Sequence, residues 1–228
     1  MNIAVIPARG GSKRIPRKNI KEFHGKPMIA YSIETALNSG CFDKVIVSTD
    51  DAEIAEVAIK YGAEVPFMRP SNIADDYATT LDVIKHAIEF TEQQAWGIKN
   101  VCCIYATAPF LTPEFIQKGL KELTENAIDY AFSATSFPFP IQRAIKLNSE
   151  KYVEMFQPEH LNTRSQDLEE AYHDAGQFYW GTANAFIARK PILGTSSKAV
   201  LLPRKRVQDI DTPEDWELAE ALFRAIEC

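Results

Sequence analysis

The run Ile3-Ala4-Val5-Ile6 constrains this chain most. It is short, continuous and apolar, without the alternation of a half-exposed strand, so it predicts a strand covered on both faces of a parallel sheet. Parallel strands cannot be joined by a tight turn and need a crossover, usually a helix. The sequence supplies such crossovers repeatedly. A helix is predicted from Pro27 to about Gly40, with Ile29, Ile33, Ala36 and Leu37 inward. Lys44 to Ser48 reads as the next strand, and Asp50 with Glu53 as the capping pair of a helix closed by Gly62.

Glu64 to Phe67 is a short strand candidate, followed by a polar loop from Arg69 to Ala78 that contains Asp75-Asp76. Thr79 and Asp82 form a capping-box pattern ahead of Leu81, Ile84 and Ile88. Val101 to Ala106 and Tyr130 to Thr135 read as strands, with a helix starting at Thr112-Pro113 between them. A last helix follows Thr212-Pro213, with Trp216, Ala219, Phe223 and Ile226 on one face. Strands alternating with helices predict an α/β sandwich of three layers around a mostly parallel sheet, one domain over 1–228. Residues from about 138 to 175, opening with Phe137-Pro138-Phe139-Pro140, break the rhythm. They read as a small arm packed on a second subunit, or as a two-stranded excursion over the chain's own site.

Four cysteines (Cys41, Cys102, Cys103, Cys228) show neither a CxxC pair nor metal-ligand spacing, which predicts reduced thiols. No apolar run approaches the roughly 20 residues of a membrane span, and the N-terminus lacks a signal-peptide pattern. A cytoplasmic protein with no membrane partner is expected. The net charge of −6 argues against a general nucleic-acid binder. Residues 9–26 nevertheless carry seven Lys or Arg against Glu22 alone, +6 there and −12 elsewhere. Such a cluster in an acidic chain suits a small polyanion, although charge alone also allows a solvated basic loop.

The cluster lies in Pro7-Ala8-Arg9-Gly10-Gly11-Ser12-Lys13-Arg14-Ile15-Pro16-Arg17-Lys18-Asn19. It follows the first strand directly, at the sheet edge where open α/β folds bind ligands. Paired glycines let backbone N–H groups approach phosphate oxygens, and Arg and Lys neutralise them. The spacing fits neither a Walker A loop nor G-x-G-x-x-G. Asp209-x-Asp211 is the second feature. In an extended segment both carboxylates share a face, about 7 Å apart, and repel by roughly 2–3 kcal/mol at an effective dielectric near 20. A divalent cation would relieve that repulsion, but Asp211 or Thr212 could equally cap the last helix. His24 and His86 have no nucleophile pattern beside them, and Trp96 and Trp216 read as packing anchors.

The basic loop, together with Val47-Ser48-Thr49-Asp50, Arg69-Pro70, Thr107-Ala108-Pro109, Arg164-Ser165-Gln166-Asp167 and Asp209-Ile210-Asp211-Thr212, resembles the CMP-sialic acid synthetase family of cytidylyltransferases along nearly the whole chain. The resemblance implies a Rossmann-like nucleotidyltransferase, a homodimer through the arm, and transfer of CMP from CTP to a nine-carbon acidic sugar. It implies that Ala8, Arg9, Gly10, Gly11, Ser12 and Lys18 hold the phosphates, with Asn19 near the ribose or base. Arg69, Ala78 and Thr80 match the cytosine pocket. Asp209 and Asp211 match a Mg²⁺ site, and Arg9, Lys18 and Asp211 would carry catalysis.

Tyr105, Thr107, Arg164, Gln166, His173, Gln177 and Tyr179 match positions at or near the sugar site. Tyr105 stands where the sialic acid enzymes typically have Gln, and Ala175 where they have Asn. Those departures put a sialic acid acceptor in doubt. Ile104-Tyr105-Ala106-Thr107-Ala108-Pro109-Phe110 and His173-Asp174-Ala175-Gly176-Gln177-Phe178-Tyr179-Trp180-Gly181 resemble more closely the members of the family that use pseudaminic acid. That closer resemblance implies pseudaminic acid as the acceptor, ahead of sialic (N-acetylneuraminic) or legionaminic acid. A non-catalytic nucleotide-binding regulator is the alternative from another class. It would not need Asp209-x-Asp211 or an acceptor pocket.

Overall fold

The computed structural model describes residues 1–74 and 78–227, with side chains to residue 226. Asp75 and Asp76, expected to shape the base pocket, and Cys228 lie outside the described residues. The chain opens with β1 (Asn2–Pro7), whose four central residues are buried. The basic loop follows and ends in a two-residue ladder of β2 (Glu22–Phe23) with β3 (Lys26–Pro27). Next come α1 (Met28–Ser39), β4 (Lys44–Ser48) and α2 (Ala52–Lys60). After them run α3 (Thr80–Gln93), β5 (Asn100–Ile104), α4 (Pro113–Glu125) and β6 (Tyr130–Ser136). A hairpin of β7 (Ile145–Leu147) and β8 (Val153–Met155) precedes the long β9 (Tyr172–Thr182). The chain closes with α5 (Ala183–Ile187), β10 (Ser197–Leu201) and α6 (Pro213–Glu227).

The central sheet has the order β10-β6-β9-β5-β1-β4. β1 pairs in parallel with β4 and β5, as does β10 with β6, while β9 runs antiparallel between β5 and β6. The pleat sends alternate residues to opposite faces. Ala4, Ile6, Cys102 and Ile104 meet α1, α2 and α4 on one side. Ile3, Val5, Val101 and Cys103 meet α3 and α5 on the other. Each buried Ile or Val contributes about 1.5–3 kcal/mol, so both faces must be covered, and the three-layer sandwich follows. A third cluster seats Trp216 and Ala219 of α6 on Ile15, Phe23, Met28 and Tyr31, tying the C-terminal helix to the basic loop.

Most element starts follow the sequence pattern, and some differ for local reasons. Pro27 takes the N-cap position of α1 and Gly40 closes it in the left-handed region at φ 65°. The Thr79–Asp82 capping box forms as expected. Leu37, expected inward, is 44% exposed. Asp51, not Asp50, caps α2, accepting from the Ile54 N–H at 3.0 Å. Residues 64–67 make no strand. Only isolated bridges from Ile46 to Glu64 and Thr49 to Met68 form, since Pro66 has no N–H to continue a ladder. The irregular segment ends earlier than about 175, because β9 takes residues from Tyr172 onward into the central sheet.

Candidate active site

β1, β4 and β5 all end at one edge of the sheet, and the chain leaves β1 toward β4 but returns for β5 on the other side. That reversal opens a crevice at the carboxyl edge. A cavity of about 380 Å³ fills it. Arg9, Ser12, Lys18, Asn19 and Asp211 line one part. Arg69, Ala78, Thr80, Tyr105 and Thr107 line another. Residues separated by as many as 200 positions are thus brought together. Lys13, Arg14 and Ile15 of the basic motif also reach the cavity, as does Val83, which the sequence had not marked.

The loop is braced from below. The Ala8 N–H donates to the Ser48 carbonyl at 2.9 Å, and the Gly10 N–H to Asp50 Oδ1 at 3.0 Å. A Cβ on Gly10 would come within 2.6 Å of Asp51 Oδ2, whereas one on Gly11 would meet nothing within 4 Å. The first glycine is therefore needed for close packing against Asp51, and the second leaves open space. Arg17, at φ 55°, donates to both Asp51 and Glu53, so it fastens the loop to the start of α2. Its guanidinium in turn holds the Asp51 carboxyl below the usual carboxylate range. Asn19 donates to the Arg9 carbonyl at 3.0 Å.

Lys18 Nζ donates to the Ile210 carbonyl at 2.5 Å and to Asp211 Oδ1 at 3.2 Å. Arg14 reaches Asp211 Oδ2 at 2.8 Å. The capping of α6 falls to Thr212 and Asp215. Asp215 Oδ2 accepts from the Thr212 N–H at 2.7 Å, and Thr212 Oγ1 accepts from the Asp215 N–H at 3.2 Å. Asp211 contributes only its N–H there, so its carboxylate stays available in the cavity. Asp209 does not line the cavity. Burial, with the charge of Asp211 adding to it, raises its carboxyl above the usual value.

Arg69 is 7% exposed and donates to the Ser48 carbonyl and, at 3.2 Å, to Ser48 Oγ. Burial lowers its pKa, Asp50 opposes that and Arg9 adds to it. A charged guanidinium at the floor of a cleft is suited to the carbonyl oxygen of a flat base.

A second cavity of about 320 Å³ adjoins the first and shares Thr80 and Tyr105 with it. Leu81, Ile192 and Leu193 give it an apolar lining, with Asp174 and Tyr179 as its other polar groups. Of these, Thr80, Tyr105 and Tyr179 were singled out from the sequence, Thr80 for the cytosine pocket and the two tyrosines for the sugar site. Leu81, Asp174, Ile192 and Leu193 were not, because nothing in their spacing separates them from ordinary core and loop residues. The other candidates lie elsewhere. Arg164 pairs with Asp167 at 2.7 Å on the irregular segment, beside Gln166. His173 packs against the Phe137 ring. Gln177 is 3% exposed, its amide donating to the Arg206 carbonyl at 2.5 Å. None of the four lines either cavity.

A doubly covered α/β sheet with a glycine-basic loop at its carboxyl edge, a buried arginine beyond it and Asp211 in the cavity lining defines a nucleotidyltransferase-type site. Comparison with known proteins narrows this class. A family model described as Cytidylyltransferase matches residues 3–222, and the chain belongs to that family. It is 51% identical over 98% of its length, and 96% of the relative's, to the "Pseudaminic acid cytidylyltransferase" of Campylobacter jejuni. It is 34% identical to the "CMP-N,N'-diacetyllegionaminic acid synthase" of Legionella pneumophila, over 97% of this chain and 95% of that one. The solved structure of a CMP:2-keto-3-deoxy-manno-octonic acid synthetase complexed with CTP superposes with a TM-score of 0.70 at 18% identity, covering 98% of both chains. That likeness speaks for the fold. The protein is a nucleotidyltransferase enzyme of the cytidylyltransferase family.

Proposed function

We propose that the protein transfers CMP from CTP to pseudaminic acid, releasing pyrophosphate. The observation that carries this is the pair of joined cavities. One is lined by Arg9, Lys18 and Arg69, and the other is mostly apolar through Leu81, Ile192 and Leu193. The 51% identity to a relative named for pseudaminic acid supports the acceptor. Pseudaminic acid carries two acetamido groups and ends in a methyl, which an apolar lining accommodates. The hydroxylated tail of sialic acid would leave unpaired hydroxyls there at a cost of about 1–3 kcal/mol each.

In this reaction the anomeric hydroxyl oxygen forms a bond to the α-phosphorus of CTP as the bond to the pyrophosphate oxygen breaks in line. Arg9 and Lys18 offset the negative charge on the phosphates, while Arg69, Ala78 and Thr80 seat the base. The Ser12 hydroxyl and the Gly11 N–H, with Gly11 open to the approach of a ligand, orient the phosphate chain. Catalysis is therefore mostly positioning and electrostatics. Mg²⁺ fits the donor set. Asp211 would offer a hard oxygen beside Lys18 and Arg14 in the cavity, and Asp209, two residues away, would be the second ligand of such an ion. No cluster of three or more His, Cys, Asp or Glu side chains arranged for a metal exists among the described residues, so water and phosphate oxygens would have to complete the coordination. When bound, the ion supplies charge neutralisation on the phosphates.

We also propose a homodimer through residues about 138–171, working in the cytoplasm. Phe139 is 78% exposed, Phe156 63% and Leu161 66%, an apolar surface that a second copy would cover. Arg164 and Gln166 lie on the same segment and would serve a sugar site only in such an assembly. Among the described residues no helix is long and apolar enough to cross a membrane. Incubation with CTP, Mg²⁺ and pseudaminic, legionaminic and N-acetylneuraminic acids, with pyrophosphate as the readout, tests the reading. Strong preference for pseudaminic acid is expected. Comparable kcat/KM for all three would refute the acceptor, and no pyrophosphate with any acid would refute the activity.

A further inference from the structure

The second cavity contains one carboxylate, and its surroundings give it a specific task. Across the β6–β9 ladder, Ala134 pairs with Asp174 and Phe132 with Tyr179, so β9 advances five residues while β6 advances two. The bulge contains Gly176 at φ +60° and brings the Asp174 side chain back onto its own strand. Asp174 Oδ1 accepts from the Gly176 N–H at 2.8 Å, and Oδ2 accepts from the Tyr179 hydroxyl at 2.7 Å. The Tyr179 and Tyr105 rings pack with centroids 5.5 Å apart, and the Tyr105 hydroxyl lies 3.3 Å from that of Thr80.

Counting protons fixes the direction of this chain. Each hydroxyl has one proton to give, and an ionised carboxylate can only accept. Tyr179 gives its proton to Asp174, so where the two phenols meet Tyr105 is the one able to donate, which leaves Thr80 as the donor to Tyr105. The lone pairs left over, on Thr80 at the seam of the two cavities and on Asp174 itself, are acceptors. Facing them are Leu81, Ile192 and Leu193, which neither donate nor accept.

We propose that Asp174 is a specificity-determining residue for the acceptor: by orienting Thr80, Tyr105 and Tyr179 it makes the polar wall of the second cavity accept hydrogen bonds, and so selects a sugar presenting amide N–H or hydroxyl groups there. This rests on the reading of the chain as a nonulosonic acid cytidylyltransferase. The same wall repels carboxylate oxygens, which directs the acid end of the sugar toward Arg9, Lys18 and Arg69 and its acylamino end toward Asp174. Burial, helped by Tyr105 and Asp174, drives the Tyr179 phenol far above its ordinary pKa, so it stays a donor throughout the working range.

Steady-state kinetics of wild type, Asp174→Asn, Tyr179→Phe and the double variant test this. Asparagine keeps the shape but can donate, which frees the chain to run in either direction. The KM for pseudaminic acid should rise roughly tenfold or more in Asp174→Asn and in Tyr179→Phe. The KM for CTP should rise far less than that for the acid, since of the base-seating residues only Thr80 is reached by this chain, and the melting temperature should stay at the wild-type value. The double variant should be no worse than the weaker single variant, because both changes break one chain. A wild-type acceptor KM in Asp174→Asn, an equal rise in the KM for CTP, or additive losses would overturn the proposal. If Asp174→Asn fails to fold, Tyr179→Phe keeps the ring packing and asks the same question. A wild type that uses none of the acids removes the activity reading and this inference together, whereas an active wild type beside unaffected variants removes the inference alone.

Discussion

Asp211 sits between two cations, Lys18 at 3.2 Å and Arg14 at 2.8 Å, while Asp215 and Thr212 cap the adjoining helix. Losing its charge therefore affects the site more than the helix. Asp211→Asn should shift Mg²⁺ activation to much higher concentration. Asp50→Asn should not, because its retained Oδ1 still accepts the Gly10 N–H. Superimposable magnesium titrations for wild type and Asp211→Asn would leave Asp211 as a partner of Lys18 and Arg14 only. Arg9→Ala and Lys18→Ala should each lower kcat by roughly 10²–10³, the usual loss for one donor to a developing charge. Both side chains line the cavity rather than the core, so circular dichroism should be unchanged. Wild-type turnover in both variants would remove them from the phosphate site.

At the scale of elements, the start of α2 and the basic loop are joined through Asp51. It caps the helix at the Ile54 N–H and receives Arg17. The Arg17 hydrogen bond is the main cause of its lowered pKa, so the linkage has a definite sign. A carboxyl whose folded pKa lies below its ordinary 3.8 contributes stability that is fully present above that value and is lost as pH falls through the folded pKa. Melting temperature should drop on acidification below about pH 4, and Asp51→Asn should flatten that drop while melting lower at pH 7. Equal slopes would remove Asp51 from the acid transition. Another element-scale contact is where α4 crosses the sheet at Gly119. An added Cβ would lie 2.6 Å from Trp180 Cδ1 and 2.8 Å from Phe178 Cε2. Alanine gains about 0.8–1.0 kcal/mol of helix propensity, but overpacking costs typically 1–3 kcal/mol. Gly119→Ala should therefore destabilise in thermal or urea melts, and a stabilised variant would mean that α4 can move away.

For the whole molecule, the expected dimer is tested most directly by light scattering at micromolar concentration. A dimer is expected for the wild type, and Phe139→Asp with Phe156→Asp should weaken it. A monomeric wild type would leave the β7–β8 hairpin as an excursion of its own subunit.

Much of this architecture was legible in the sequence because it rests on short-range physics. The apolar run at 3–6 had to be doubly covered, and the Thr79–Asp82 pair and the Pro113 start depend only on neighbours. The basic loop after β1 could likewise be placed at the ligand edge from its position alone. Three features depended on contacts distant in sequence. Which of two adjacent aspartates caps α2 was decided by Gly10 and Arg17 approaching from another loop. The antiparallel insertion of β9 between β5 and β6 was hidden because an apolar strand looks the same in either direction, and its pairing is set by partners 36–82 residues away. The second cavity was hidden for the same reason: Leu81, Asp174, Ile192 and Leu193 acquire a common wall only when α3, β9 and the segment after α5 converge. The sequence alone determined the layers and the phosphate edge. The tertiary structure decided which carboxylates and apolar side chains face the ligand, because that depends on side-chain direction across the sheet and not on local spacing.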